Sequence, residues 1–295
     1  MTERTVIALG FFDGIHIGHG ALLEQAKRRA AELDAVPAVL SFDIHPDTVV
    51  KGAPVELLCS PEDRSYIIRR FFGIDRLCYI HFNRETMRLP WQEFMDGVCR
   101  TYGAVHFVIG HDFSCGYRGE GTAERIRGWC AEQGLGCDVI PPVMLNGVVV
   151  SSTYIRSLIR DGDVKTAAAF LGHPHLLTDT VRNGFRIGRT MDFPTVNMCF
   201  ADGVLIPRYG VYASTVLLPE GEKQAVTNIG MRPTFHGDRV TVETHILDYS
   251  ADLYGQRLCV ELQSFLRPEM AFASPEALSA QIRQDTQAAR AFFAE

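Results

Sequence analysis

Apolar positions fall in short blocks separated by longer amphipathic stretches through the first half of the chain. Val6, Ile7, Ala8 and Leu9 form a continuous apolar run, the pattern of a strand buried on both faces. Behind them Leu22, Leu23, Ala26, Ala30 and Leu33 recur at helical spacing and predict one buried stripe. Residues 35–42 read as a second strand, followed by a loop over 43–46. Residues 61–72 read as a helix with Ser60 as N-cap and Pro61 at its first position. Strand patterns follow at 76–82, 105–110 and 137–141, and helical ones at 90–102, 122–133 (closed by Gly134) and 163–171. This rhythm predicts an α/β domain over 1–175, a doubly wound, Rossmann-like parallel sheet with ligands at the carboxyl ends of its strands.

From residue 176 the period changes. Residues 210–218, 224–229, 239–248 and 256–266 are rich in β-branched side chains and are separated by glycine-containing turns. Val240, Val242 and Thr244 alternate with polar neighbours, as do Leu258, Val260 and Leu262, which predicts a small antiparallel β-barrel over 176–295. A closing helix begins at Ser274 and Pro275, with Leu278, Ile282, Ala289 and Phe292 or Phe293 on its apolar face.

Composition narrows the class without choosing the function. The 295 residues suffice for two cores, and 46% apolar with 22% charged residues is the balance of a soluble globular protein. No apolar stretch reaches membrane length and no leader pattern opens the chain, so a cytoplasmic protein with no membrane partner is expected. The formal charge of −6 argues against a general nucleic-acid binder and leaves a nucleotide substrate open. The eight cysteines form no Cys-x-x-Cys pair, and residues such as Cys78 and Cys259 sit among apolar neighbours. Reduced thiols and no structural metal are expected.

The densest chemistry lies where the first strand meets the first helix, from Gly10 to His19. Unpaired backbone N–H groups and the helix dipole favour an anion there. His16 and His19 are three apart and share a face in the first turn, while Gly14 and Gly18 let a ligand approach the backbone. One such histidine is an ordinary capping or surface residue; the pair makes a phosphate site. Further candidates follow other strands: residues 41–46, which include Phe42, His45 and Pro46, and residues 110–113, which include Asp112 and Phe113. Residues 114–121, with three glycines and the lone Arg118, read as a mobile lid or a phosphate-approaching loop. Ser151, Ser152, Thr153 and Arg156 offer hydroxyl donors and a fixed charge for a di- or triphosphate. In the second half Thr195 and Asn197 are alternate residues, placing two hard oxygens on one side of a strand as Mg²⁺ prefers. Glu243 lies mid-strand, where pattern alone makes it a solvent-facing carboxylate.

The stretch Gly-Phe-Phe-Asp-Gly-Ile-His-Ile-Gly-His resembles the His-x-Gly-His signature of the nucleotidylyltransferase superfamily, in the form found in bacterial bifunctional riboflavin kinase/FAD synthetases. Val150 to Arg156 is similar to that family's Ile-Ser-Ser-Thr-x-Ile-Arg motif. Gly188 to Asn197 is similar to its kinase signature Gly-Arg-x-x-Gly-Phe-Pro-Thr-x-Asn. Family-like runs also begin at Gly210, Asn228, Glu243, Leu253 and Leu266, so the resemblance spans Val6 to Phe292.

The resemblance implies ATP-dependent phosphorylation of riboflavin to FMN in the second domain. It implies adenylyl transfer from ATP to FMN in the first, giving FAD and pyrophosphate. It assigns Glu243 as catalytic base of the kinase, and His16, His19 and Arg156 to adenylyl transfer. Nucleotide contacts are expected from Gly10, Phe12, Asp13, Gly14, Gly18, Asp112, Ser151, Ser152 and Thr153, and from Gly188, Arg189, Thr190 and Pro194. Flavin contacts are expected from Phe42, His45, Pro46, Phe113 and Arg267, and Mg²⁺ on Thr195 and Asn197. Client apoflavoproteins are a further class of partner.

Departures from the pattern are Asp192 for glycine, Asn183 for histidine, Phe11 for a small or polar residue and Cys115 for an aromatic. Asp192 puts a negative charge beside the presumed ATP loop, which raises a second expectation, an adenylyltransferase with a weakened kinase. The motifs also leave room for adenylylation of a different phosphate-bearing substrate, and for a flavin carrier or sensor without turnover.

Overall fold

A computed structural model describes residues 3–182, 194–234 and 237–294, with backbone alone over 232–239. The chain folds as two compact units, Met1–Leu57 with Arg64–Ser152, and Leu58–Asp63 with Thr153–Glu295.

The first unit runs β1 (Thr5–Leu9), α1 (Ile17–Glu32), β2 (Val36–Phe42), α2 (Pro46–Lys51), α3 (Pro61–Ile67), β3 (Arg76–Ile80), α4 (Trp91–Tyr102) and β4 (Ala104–Gly110). A small hairpin of β5 (Ser114–Cys115) and β6 (Gly121–Thr122) precedes α5 (Ala123–Glu132) and β7 (Gly136–Ile140). A second small hairpin, β8 (Met144–Leu145) and β9 (Val148–Val149), ends the unit. The five long strands form one parallel sheet in the order β3-β2-β1-β4-β7. Strand order reverses at β1, so the cleft for a ligand opens where β1 and β4 end. β1 is buried along its whole length, as its unbroken apolar run requires.

Three local differences from the sequence reading have physical causes. The loop after β2 turns directly into α2, because the His45 side chain caps it and Pro46 supplies a preset φ. The helix expected over 61–72 is α-helical only to Ile67 and widens into a π turn over Ile68–Phe72, closed by Gly73 at φ 64°. Leu33 caps α1 and is only half-buried.

The second unit holds α6 (Ser152–Asp161), α7 (Val164–Leu171), β10 (His175–Thr180), β11 (Val196–Met198), β12 (Gly210–Leu218), β13 (Gly221–Thr234), β14 (Gly237–Ile246), β15 (Arg257–Pro268) and α8 (Pro275–Ala294). Its antiparallel sheet has the order β10-β15-β12-β13-β14-β11 and curls until Arg182, just past β10, bridges Asn197 of β11. Tyr212, Val216, Ile229, Val242, Val260 and Leu262 fill the interior. α8 covers the outside, where Ala289, Phe292 and Phe293 pack on Val211, Ala213 and Val226. The units divide at Ser152, earlier than the change of period at 175, because Val164 of α7 belongs to the barrel core.

Candidate functional site

In the first unit the chain leaves β1 through a turn that few sequences tolerate. Phe12 has φ 60° and ψ 45°, Gly14 φ 75° and Ile15 φ 45°, so two non-glycine residues take left-handed conformations within four positions. Burial holds them there: Phe12 and Ile15 are sealed in the core at 1% and 0% exposure, and Asp13 between them is buried. Ser152 donates its hydroxyl to the Asp13 carbonyl at 3.1 Å and pins the turn from outside.

The turn delivers His16 as the N-cap of α1. Its Nδ1 accepts the His19 backbone N–H at 3.1 Å, so in the neutral ring the proton sits on Nε2. The His16 and His19 rings stack at 3.6 Å with 11° between planes, and Phe12 meets His19 edge-on at 5.2 Å. Burial, then the neighbouring His16, then Arg64 hold the His19 pKa well below the usual imidazole value, so at neutral pH its ring is neutral. Its Nδ1 is buried with no hydrogen-bond partner. Gly18, in the first turn of α1, leaves little room beside the cap, since a Cβ there would lie 3.1 Å from the His16 ring.

The sequence reading missed Arg64, which sits in a run of charged residues at the start of α3. It is 0% exposed, stacks under the Phe11 ring at 4.2 Å, and donates from Nη1 to Ser41 Oγ and to the Phe42 carbonyl.

Two further expectations in this unit need correction. Phe42 is a core residue, 6% exposed and packed against Phe82 and Phe94, so its ring has no free face for a flavin. Residues 114–121 form a packed hairpin, where a Cβ at Gly116 or Gly121 would lie 2.4 Å or 2.6 Å from Trp91. Those glycines serve close packing on Trp91, whose ring meets Trp129 edge-on at 6.4 Å. Cys115 beneath them is buried, which pushes its thiol pKa up to about 12. His45 and Pro46 open α2 with the His45 ring 4.4 Å from Phe11, while Phe113 is half-buried and Asp112 exposed beyond β4.

In the second unit Asn197 on β11 pairs with Glu243 on β14, which pairs in turn with Asn228 on β13. Paired residues share a face, and on these strands Val242, Thr244 and Ile246 point the other way into the core. Glu243, half-buried, is thus set beside Asn197 by register alone. His245, two residues on, donates from Nδ1 to the Pro194 carbonyl at 2.9 Å and holds the start of this segment. Thr195 and Asn197 line a cavity of about 110 Å³ with Pro194, Asp252 and Tyr254. Ser152 opens α6, and Arg156 is a half-buried residue one turn in.

Arg267, expected at the flavin, is held by Asp285 of α8 through Nε at 2.8 Å and Nη2 at 2.7 Å. The pair pins α8 to β15. Gly188, Arg189, Thr190, Asn183 and Asp192 lie outside the described residues. Among the described residues no group of three or more His, Cys, Asp or Glu side chains could hold a metal, and no helix is long and apolar enough to cross a membrane.

Comparison with known proteins agrees with this two-part layout. A family model described as FAD synthetase matches residues 1–154, and one described as riboflavin kinase matches 171–293. The bifunctional riboflavin kinase/FMN adenylyltransferase of Listeria monocytogenes is 34% identical over 98% of this chain and 93% of its own length. The protein of the same name from Escherichia coli K12 is 34% identical over 99% of this chain and 93% of its own length. A Streptococcus pneumoniae crystal structure, described as a macrolide-efflux protein, superposes with a TM-score of 0.85 at 29% identity, covering 98% of this chain and 95% of that one.

Proposed function

The chain belongs to the bifunctional riboflavin kinase/FMN adenylyltransferases, and from that premise we propose how its residues divide the two reactions. As a member it phosphorylates riboflavin with ATP and then transfers an adenylyl group from ATP to FMN.

The first unit carries the adenylyl transfer. An FMN phosphate oxygen attacks the ATP α-phosphorus, the bond to the bridging oxygen breaks, and pyrophosphate leaves. The attacking phosphate is already an anion, so no protein nucleophile is needed; alignment and charge stabilisation are. The single observation that supports this role is the stacked His16–His19 pair held on a strained turn at the sheet's reversal point. His16 Nε2 and the open N–H groups of α1 serve as donors to the polyphosphate. Ser151 and Ser152, at the end of the same unit, are proposed contacts of the same nucleotide.

The second unit carries the kinase. Glu243 accepts the proton of the ribityl 5′-hydroxyl as that oxygen attacks the γ-phosphorus and ADP leaves. Thr195 and Asn197 fit a Mg²⁺ ion, since both offer oxygen ligands on one wall of a cavity and Mg²⁺ keeps several waters. The ion, when bound, neutralises charge on the ATP phosphates. The eight free thiols support a reducing, cytoplasmic setting, with apoflavoproteins as takers of the product.

Chromatography of riboflavin incubated with ATP tests the division. Wild type converts riboflavin through FMN to FAD. His19→Ala accumulates FMN, and Glu243→Ala makes FAD only when FMN is supplied. Loss of both activities in either variant, in protein that remains folded, overturns the two-site assignment.

A further inference from the structure

Arg64 is the feature of the first unit that the proposed chemistry leaves unused. A guanidinium removed from water needs a counter-charge or a full set of acceptors, because desolvating the ion is costly. Arg64 has neither. It is 0% exposed and takes part in no ion pair with any described carboxylate. Its chain neighbour Asp63 is bonded to Ser60 and Thr178. Only Nη1 finds acceptors, Ser41 Oγ at 2.8 Å and the Phe42 carbonyl at 3.0 Å, while Nε and Nη2 are buried without partners. Aromatic rings take up part of the deficit: Phe11 lies 4.2 Å from the guanidinium carbon and Tyr79 5.7 Å.

The location gives that excess charge a use. Ser41 Oγ donates its own hydrogen bond to the Phe11 carbonyl at 2.8 Å, so Arg64 is tied to the backbone that opens the strained turn. Phe11 separates the guanidinium from the His45 ring, and the charge is felt at His19. Direct contact with a ligand is blocked by that cover. Through a thin apolar layer, however, a fixed charge keeps most of its field.

We infer that Arg64 is the permanent positive charge beneath the adenylyl-transfer cradle, uncompensated in the free protein and complemented when a polyphosphate fills the site. It acts as a positioning and electrostatic residue without touching the reacting atoms. The inference rests on the reading that the His16–His19 cradle holds the polyphosphate. A buried arginine of this kind biases the site toward the most highly charged ligand, the triphosphate before reaction and pyrophosphate after it.

The test uses full-length protein and inorganic pyrophosphate as the calorimetric probe, with the ATP dependence of FAD formation measured in parallel. Arg64→Met weakens pyrophosphate binding about tenfold or more and raises KM for ATP by a similar factor, with a smaller change in kcat. Arg64→Lys, which keeps the charge and loses the fork, stays within about threefold of wild type. Riboflavin phosphorylation is unchanged in both.

Wild-type affinity in Arg64→Met overturns the inference, as does a lysine variant no better than methionine. A thermal destabilisation with binding intact marks Arg64 as structural only and also overturns it. If Arg64→Met does not fold, the ¹⁵Nε resonance of Arg64 in wild type decides. It moves on pyrophosphate addition if the inference holds, and a resonance that stays still at saturation defeats it. His19→Ala separates the two levels. Loss of pyrophosphate binding there with Arg64→Met unaffected sinks only the role of Arg64, whereas binding retained in His19→Ala sinks the cradle itself.

Discussion

The turn between β1 and α1 places its histidines by bending the backbone into left-handed conformations that neighbouring side chains clamp shut. The barrel places Asn197 beside Glu243 by ordinary strand pairing, with no unusual dihedral at either residue. The first arrangement stores precision in packing around a few atoms; the second stores it in register across three strands. They should therefore fail differently, the cradle to a single added methyl group and the barrel to loss of the contacts that keep its strands and covering helix aligned.

The largest expected effect lies in the donors themselves. His19→Ala lowers FAD formation by about 10²–10³-fold, the usual worth of one preorganised donor, while FMN formation holds. Glu243→Gln gives the mirror image, and steady-state assays of each step separate them.

Next comes acid. His175 on β10 is buried beside His173, and both burial and that neighbour hold its pKa down to about 4. Unfolded, it titrates near the ordinary value, so its stability contribution is intact above about pH 6.5 and is lost as pH falls from there through 4, amounting to about 3 kcal/mol. Its Nε2 has no partner, so His175→Leu sacrifices no hydrogen bond there. Urea midpoints at pH 7 and pH 4.5 should draw together in that variant.

Breaking the Arg267–Asp285 pair is smaller. Asp285→Ala leaves a mostly buried guanidinium unpaired, for a loss of about 2 kcal/mol after allowing for partial exposure. A lowered melting temperature with FAD formation from supplied FMN preserved is the expected pattern. The smallest effect is also the sharpest test of the contrast. Gly18→Ala drives a methyl group toward the His16 ring and lowers FAD formation about tenfold, about 1.4 kcal/mol. In a His16→Ala background the same change costs almost nothing further, which a general folding defect would not reproduce.

How much of this was legible in the sequence depended on whether the signal was local. The strand, glycine and histidine spacing at the first turn spoke for itself, and alternation in β14 and β15 showed the barrel. β10 and β11 escaped because the first ends in polar residues, Thr178 to Thr180, and the second is three residues long. Arg64 escaped because Glu62, Asp63 and Arg64 in succession look like a solvated helix face; its burial comes from tertiary packing that no spacing encodes. Phe42 was misplaced for a related reason, since strand-end position says nothing about which neighbour claims a side chain.

The clasp of Gly116 and Gly121 around Trp91 has a practical outcome. Trp91 and Trp129 are the two tryptophans of the chain, and both lie in the first unit, edge to face. Indole emission thus watches the parallel-sheet unit melt, while the barrel contributes none. A fluorescence trace laid over a calorimetric one would show at once whether the halves come apart together or in turn.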